Sequence, residues 1–299
     1  MSVTAAVVNL AIALLLAPAF EGATRKIKAI IHSRKGPPVT QAYIDILKLL
    51  AKEDLRSSSS LIFRFAPSAA LASFMVVALM TPMGVKGGVG LPGDLVTWIY
   101  FLTLGAAMIM IMAMASKNPF AGAGAGREMM MLLSVEPIVI AVLITSAIKS
   151  GSMRLTDRAS WNLAHGPSFS MICAGIALLL VLQATLGRLP FDIAEAENEI
   201  VGGALVEQSG PNLALLKMAL LIRQLVYSFL LVSVFAPWPP LSPWPLATLA
   251  ALVKVLFLFV LAAVIEALSP RLRIDQAMSY MGKLLFVALA ALAFAMIGV

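Results

Sequence analysis

LVTWIYFLTLGAAMIMIMAMA, residues 95–115, runs for a full membrane width without one charged side chain. At 1.5 Å per residue a helix of this length reaches about 32 Å, enough for a hydrocarbon core of ~30 Å. Working outward, comparable apolar runs recur at about 3–20, 65–81, 129–148, 169–186, 213–235, 245–268 and 278–299. Backbone polar groups in lipid must be satisfied within the segment, and the alternation of barrel strands is absent. The expected fold is therefore all-α: a polytopic integral membrane bundle of about eight transmembrane helices.

Composition agrees. Of 299 residues 61% are hydrophobic and 12% charged, against roughly 25% charged in a soluble domain. No segment between the runs is long enough to bury a core of its own, so residues 1–299 read as one transmembrane domain. The first apolar run has no Lys or Arg before it, the first being Arg25, so it reads as a retained span rather than a secretory signal. The net charge of +7 reflects loops at a membrane surface, with anionic lipid and partner proteins as counter-charges and no nucleic acid implied. Cys173 is the only cysteine, and His32 and His165 are the only histidines. Disulfides, iron–sulfur ligation and a metal site built by this chain alone are not expected.

Loop charge orients the bundle. The 21–64 loop carries nine Lys or Arg, and the loops and span ends on the same side bring that side to sixteen. Lys86, Lys149, Arg154 and Arg158 are the four on the other side, while Arg223 and Lys254 fall inside spans. The positive-inside rule then puts the sixteen in the cytoplasm and both termini outside. Eleven acids also gather on the cytoplasmic side, which that rule does not explain. Between Gly36 and Glu53 an amphipathic helix is expected, with Tyr43, Ile46, Leu47 and Leu50 on one face and Asp45, Lys48 and Lys52 opposite. It suits either the membrane interface or a partner subunit.

Two groups of residues suggest chemistry. In GRLPFDIAEAENEI, residues 187–200, Pro190 suits a helix start. Helical spacing would then put Asp192, Glu195 and Glu199 on one face, with Glu197 elsewhere. Close carboxylates near lipid have their pKa values raised towards neutrality, which suits proton exchange. The plain alternative is a solvated face whose acids favour a helix N-terminus. Within the bilayer, Glu136 precedes Pro137 roughly 10 Å from the cytoplasmic surface. Arg223 and Lys254 reach similar depth, and buried charge seeks a partner or a wet cavity. Glu136 with Arg223 or Lys254 is the expected buried cluster; Glu266, near the end of its span, can snorkel. Arg271, Arg273 and Asp275 after the seventh run read as a surface anchor. Phosphate loops, nucleophile elbows and zinc-binding helices are missing, so no independent catalytic site is expected.

Several stretches carry a resemblance. Arg34-Lys35-Gly36-Pro37, Gln41 through Lys48, Arg127-Glu128 with Val135-Glu136-Pro137, Pro190 through Glu199, Glu207-Gln208-Ser209-Gly210 and Arg271 through Asp275 resemble subunit 1 of respiratory complex I, in order along the whole chain. Phe191 through Glu197 and Phe235-Ala236-Pro237-Trp238 look most like the version in formate hydrogenlyase and related group 4 membrane-bound [NiFe]-hydrogenases. The resemblance implies a non-catalytic subunit that anchors a soluble arm. It implies a proton or sodium route through Glu136, Asp192, Glu195, Glu197, Glu199, Glu207, Arg223, Lys254 and Glu266. It also implies a docking face at Arg34, Lys35, Arg127, Glu128, Arg271, Arg273 and Asp275. The expected partners are hydrogenase large and small subunits, iron–sulfur subunits and antiporter-like membrane subunits, which would hold the [NiFe] centre and the clusters. Two departures stand out. Gln208 stands where the family usually has Tyr, and Thr24 where complex I members often have Glu, with Glu21 one turn earlier. The alternatives are the quinone-site subunit of an NADH:quinone oxidoreductase and a stand-alone secondary transporter.

Overall fold

The computed structural model describes residues 3–83, 94–239 and 244–298, and among them only helices and loops. Lys86 lies outside the described residues. In chain order the α-helices are α1 (Val3–Ile31), α2 (Gln41–Leu50), α3 (Leu61–Met80), α4 (Asp94–Ala115), α5 (Pro119–Ser150), α6 (Leu155–His165), α7 (Phe169–Thr185), α8 (Glu197–Ile200), α9 (Gly210–Leu230), α10 (Trp244–Leu268) and α11 (Ile274–Ile297). A π-helical turn, Leu231–Phe235, extends α9. Among the described residues seven helices are long and apolar enough to cross a membrane: α1, α3, α4, α5, α9 with its π turn, α10 and α11. The chain is a multi-pass membrane protein. The remaining expected span, α7, is apolar but has only 17 residues, about 26 Å of rise. It packs against both α5 and α11.

Burial follows the logic of lipid as solvent. Small residues fill the helix contacts, Ala13, Ala66, Ala70, Ala174, Ala219 and Ala291 among them, while Leu15, Tyr100, Phe257 and Phe286 point outward. Helices in a membrane gain by close backbone approach rather than by hiding apolar bulk.

On the charge-rich end of the bundle the helices run further than the apolar runs suggest. Helix α1 continues through Glu21, Arg25 and Lys28 to Ile31. Helix α5 starts at Pro119, with Asn118 accepting a hydrogen bond from the Phe120 amide at 2.8 Å, so Arg127 and Glu128 are helical rather than in a loop. The surface helix is present as α2, packed on α1 and α9. Its faces differ from expectation. Ala42, Asp45, Ile46 and Leu49 turn inward, whereas Ile44, Leu47 and Leu50 are exposed. Asp45 is drawn in by Arg25 at 3.1 Å.

The acidic segment is the largest correction. Residues 187–196 form turns, and only Glu197–Ile200 is helical, so Asp192, Glu195 and Glu199 do not share a helix face. A helix would crowd these like charges at neighbouring positions; the unwound chain lets Asp192 reach Arg271 and Glu199 reach Arg127. Tight backbone contact holds it in place. Gly203, at φ +58°, sits against the Ala194 carbonyl oxygen, where a Cβ would come within 2.0 Å. A Cβ on Gly124 of α5 would meet Gly203 Cα at 2.6 Å. Only glycine fits both sides of this crossing.

At the opposite end, α6 is pinned by Arg158, which is wholly buried. It donates to the carbonyls of Leu143, Ser152 and Met153 and to the Ser146 hydroxyl. Burial lowers its pKa to about 10, with Asp94 acting against that shift.

Candidate functional site

Two polar networks occupy the charge-rich half of the bundle. The first gathers around Arg188, in the turn after α7, which is 6% exposed. Its Nη2 donates to Glu21 Oε2 of α1 at 2.6 Å and to Gln224 Oε1 of α9 at 3.2 Å, and its Nη1 to Glu266 Oε2 of α10 at 3.4 Å. The guanidinium also lies 5.6 Å from the centre of the Phe259 ring. Arg25 pairs with Glu21 at 2.8 Å and with Asp45, and Lys28 pairs with Glu266 at 2.7 Å. Three carboxylates meet three cations, the arrangement that buried charge requires. On α2, the Gln41 amide and then the Arg25 guanidinium hold the Asp45 carboxyl below its ordinary range.

The second network begins where Arg223 Nη1 of α9 donates to Glu128 Oε1 of α5 at 3.0 Å. Both line a small cavity of about 50 Å³ with Asp192, Glu195 and Tyr227, room for a few waters. A neighbouring cavity of about 200 Å³ is lined by Glu21, Asp45 and Lys217. Gly187, Glu195 and Arg223 border both. Along α5, one residue beyond Val135 in the wall of the smaller cavity, Glu136 accepts a hydrogen bond from the Thr103 hydroxyl of α4 at 2.5 Å. Glu136 lies about two turns along α5 from Glu128, which shares the wall of the smaller cavity with Tyr227. The networks therefore step from the charge-rich surface towards the interior: Asp45 and Glu21, then Glu195 and Glu128 about Arg223, then Tyr227 and Glu136.

The expected cluster of Glu136 with Arg223 or Lys254 does not form. Arg223 is taken by Glu128. Lys254 Nζ donates to the carbonyls of Ala236, at 2.8 Å, and Trp238, just past the π turn. Carbonyls at a helix end lack their own donors, and the ammonium supplies them. Glu266, expected to snorkel, instead belongs to the Arg188 network. Asp192 pairs with Arg271 at 3.1 Å and Glu199 with Arg127 at 2.6 Å. The Arg127 hydrogen bond pulls the Glu199 carboxyl below its usual range. Glu207 accepts from Asn118 and lines neither cavity. The Glu197 side chain lies outside the described residues. Of the expected docking residues, Glu128 and Arg271 are engaged in internal pairs, Arg273 and Asp275 are exposed at the start of α11, and Arg34 and Lys35 line a separate cleft beside α1.

Hydropathy and spacing assign no role to Arg188, Arg25, Lys28, Gln224, Thr103, Tyr227 or Asn118. One signal is present. Glu21, Arg25, Lys28 and His32 fall at i, i+4, i+7 and i+11, a polar stripe that continues the first span as a helix. Among the described residues no group of three or more His, Cys, Asp or Glu side chains is placed to hold a metal ion.

Residues 3–297 match the model of one family, NADH dehydrogenase. The chain belongs to that family. Hydrogenase-4 component C of Escherichia coli (strain K12) is 35% identical over 85% of this chain and 84% of its own length. Formate hydrogenlyase subunit 4 of the same organism is 32% identical over 92% of both chains. NADH-ubiquinone oxidoreductase chain 1 of Arabidopsis thaliana is 30% identical over 93% of this chain and 90% of its own length. A chain in the structure of a membrane-bound sulfane sulfur reductase, an archaeal respiratory membrane complex, superposes with a TM-score of 0.89 at 29% identity, covering 98% of each. NADH dehydrogenase membership over nearly the full length does not favour the stand-alone transporter reading. These relatives are subunits of multi-subunit oxidoreductases, consistent with redox groups held by partner chains.

Proposed function

We propose that this chain is the membrane-anchoring and charge-coupling subunit of a membrane-bound [NiFe]-hydrogenase or formate hydrogenlyase complex. Its charge-rich face is cytoplasmic, both termini lie outside, and the membrane is the prokaryotic inner membrane. Hydrogenase large and small subunits and iron–sulfur subunits seat on that face near Arg127, Arg273 and Asp275, and antiporter-like subunits flank the bundle in lipid. The [NiFe] centre and clusters reside in those partners. The quinone-reducing alternative is less favoured, since the hydrogenase-type relatives stand at 35% and 32% identity and the ubiquinone oxidoreductase at 30%.

The observation that carries this reading is the pair of cavities joined at Glu195 and Arg223. They supply carboxylates and space for water between the docking face and Glu136, which is what a proton relay through a membrane subunit needs. A change of charge in the arm, where electrons move, alters the field on the charged groups that line these cavities. The test is Glu136→Gln in the assembled complex, reading proton uptake into vesicles against hydrogen evolved. Uptake should fall while evolution continues. Unchanged uptake at unchanged evolution would remove Glu136 from the route, and a copurifying large subunit without the paired cysteines that hold nickel would remove the hydrogenase assignment.

A further inference from the structure

The cleft beside α1 is separate from the two relay cavities in what it offers. It measures about 450 Å³ and opens between the charge-rich ends of α1 and α10, with Arg25, Lys28, His32, Arg34 and Lys35 on its walls and Glu266 as its acid. Glu266 is already matched by Lys28 and Arg188. Arg25 spends its charge on Glu21 and Asp45. Among the described residues no carboxylate pairs with Arg34 or Lys35. The cleft thus keeps a net positive charge.

The position of those two cations is built rather than incidental. Helix α1 ends in a Schellman turn: Ser33 takes φ +55°, its amide donates to the Ile30 carbonyl at 3.0 Å, and the Arg34 amide donates to the Ala29 carbonyl at 2.9 Å. Gly36 then folds back onto α1 so closely that a Cβ would meet Ala29 Cβ at 2.7 Å. Arg34 and Lys35 are in this way fixed at the mouth of the cleft. Beside it, Ile30 and Ile31 of α1 and Leu268 of α10 are exposed, at 64%, 39% and 73%, and carry the apolar outer surface of the bundle up to the basic residues.

We infer that this cleft binds the phosphate of an anionic phospholipid, headgroup against Arg34 and Lys35 and acyl chains along Ile30, Ile31 and Leu268. A phosphate diester matches the uncompensated charge, and basic pockets between helices at a membrane surface recognise such headgroups. Free phosphate shares the charge chemistry but has no use for the apolar rim. The cleft touches the larger relay cavity through Arg25, which lines both, whereas Arg34 and Lys35 line neither relay cavity.

The test uses the full-length chain, delipidated in detergent, with phosphatidylglycerol, phosphatidylcholine or inorganic phosphate added and binding read by native mass spectrometry and by the thermal unfolding midpoint. Phosphatidylglycerol should bind and raise the midpoint, phosphatidylcholine should do neither, and inorganic phosphate should compete weakly. The double variant Arg34→Gln/Lys35→Gln, both on the surface, should fold and bind phosphatidylglycerol about twenty-five-fold more weakly, about fivefold for each basic residue. Lys48→Gln/Lys52→Gln, on and after α2, should bind as wild type. Equal binding of the two lipids, equal loss in both double variants, or full protection by inorganic phosphate alone would overturn the assignment.

Discussion

Arg188 and Glu21, 167 residues apart in the chain, meet at 2.6 Å inside the bundle. The contact joins the turn after α7 to the first span, and the same guanidinium reaches α9 and α10. Three helices are therefore tied at one level by a side chain that occupies none of them.

Arg188→Met should destabilise the chain by about 3–5 kcal/mol, because Glu21 and Glu266 would keep their burial and lose a shared cation. Arg188→Lys should fall between, since an ammonium keeps the charge without the planar fork that serves two carboxylates and an amide. The thermal unfolding midpoint in detergent, together with the amount of assembled complex in membranes, checks both.

Glu195→Gln should lower proton uptake per hydrogen evolved by about tenfold or more while leaving assembly intact, because the side chain is exposed at the rim shared by both cavities. Glu207→Gln should leave that ratio unchanged, its carboxylate being engaged with Asn118 away from the cavities. Equal ratios in the two variants would take the cavity junction out of the route.

Gly124→Ala should cost about 1–3 kcal/mol through overpacking against Gly203. Gly203→Ala should cost more, adding a strained φ of +58° to a clash with the Ala194 carbonyl. Limited proteolysis within residues 187–209 should speed up in both, because the acidic turns lose their seat on α5.

The Arg127–Glu199 pair carries a pH signature. Arg127 holds the Glu199 carboxyl below its ordinary 4.5, so whatever the pair contributes is fully present above that value and is lost as pH falls through the lowered one. Arg127→Gln should return the Glu199 titration towards 4.5, a shift visible in the carboxyl carbon resonance of labelled protein.

Much of the fold is legible in the sequence because lipid imposes one rule: apolar runs of membrane length must be helical, and charge must lie at the ends. The long helices follow from that. What hydropathy cannot show is a helix that continues past the apolar run, as α1 does to Ile31 and as α5 does upstream to Pro119. Glu21, Arg25 and Lys28 therefore read as loop charge when they form a stripe on a helix. The acidic segment misleads in the opposite direction. Local spacing favours one helix face, but Arg127 and Arg271, distant in sequence, each claim one of its carboxylates, and the glycine crossing at Gly124 and Gly203 holds the chain unwound. Glu136 stands out as an acid within an apolar run. Its partner does not, since Thr103 is an ordinary residue in another such run and nothing in its neighbourhood announces the contact.

The Arg188 network matches Glu21, Asp45 and Glu266 against Arg25, Lys28 and Arg188 one for one. A locally electroneutral assembly exerts little force on distant charges, but it has no reserve with which to absorb a change. One proton gained or lost there converts zero into a full unit, and at an effective dielectric of about 20 that unit is worth about 2 kcal/mol to another charge roughly 8 Å away. Balance at rest is what makes a single protonation event audible to the rest of the bundle.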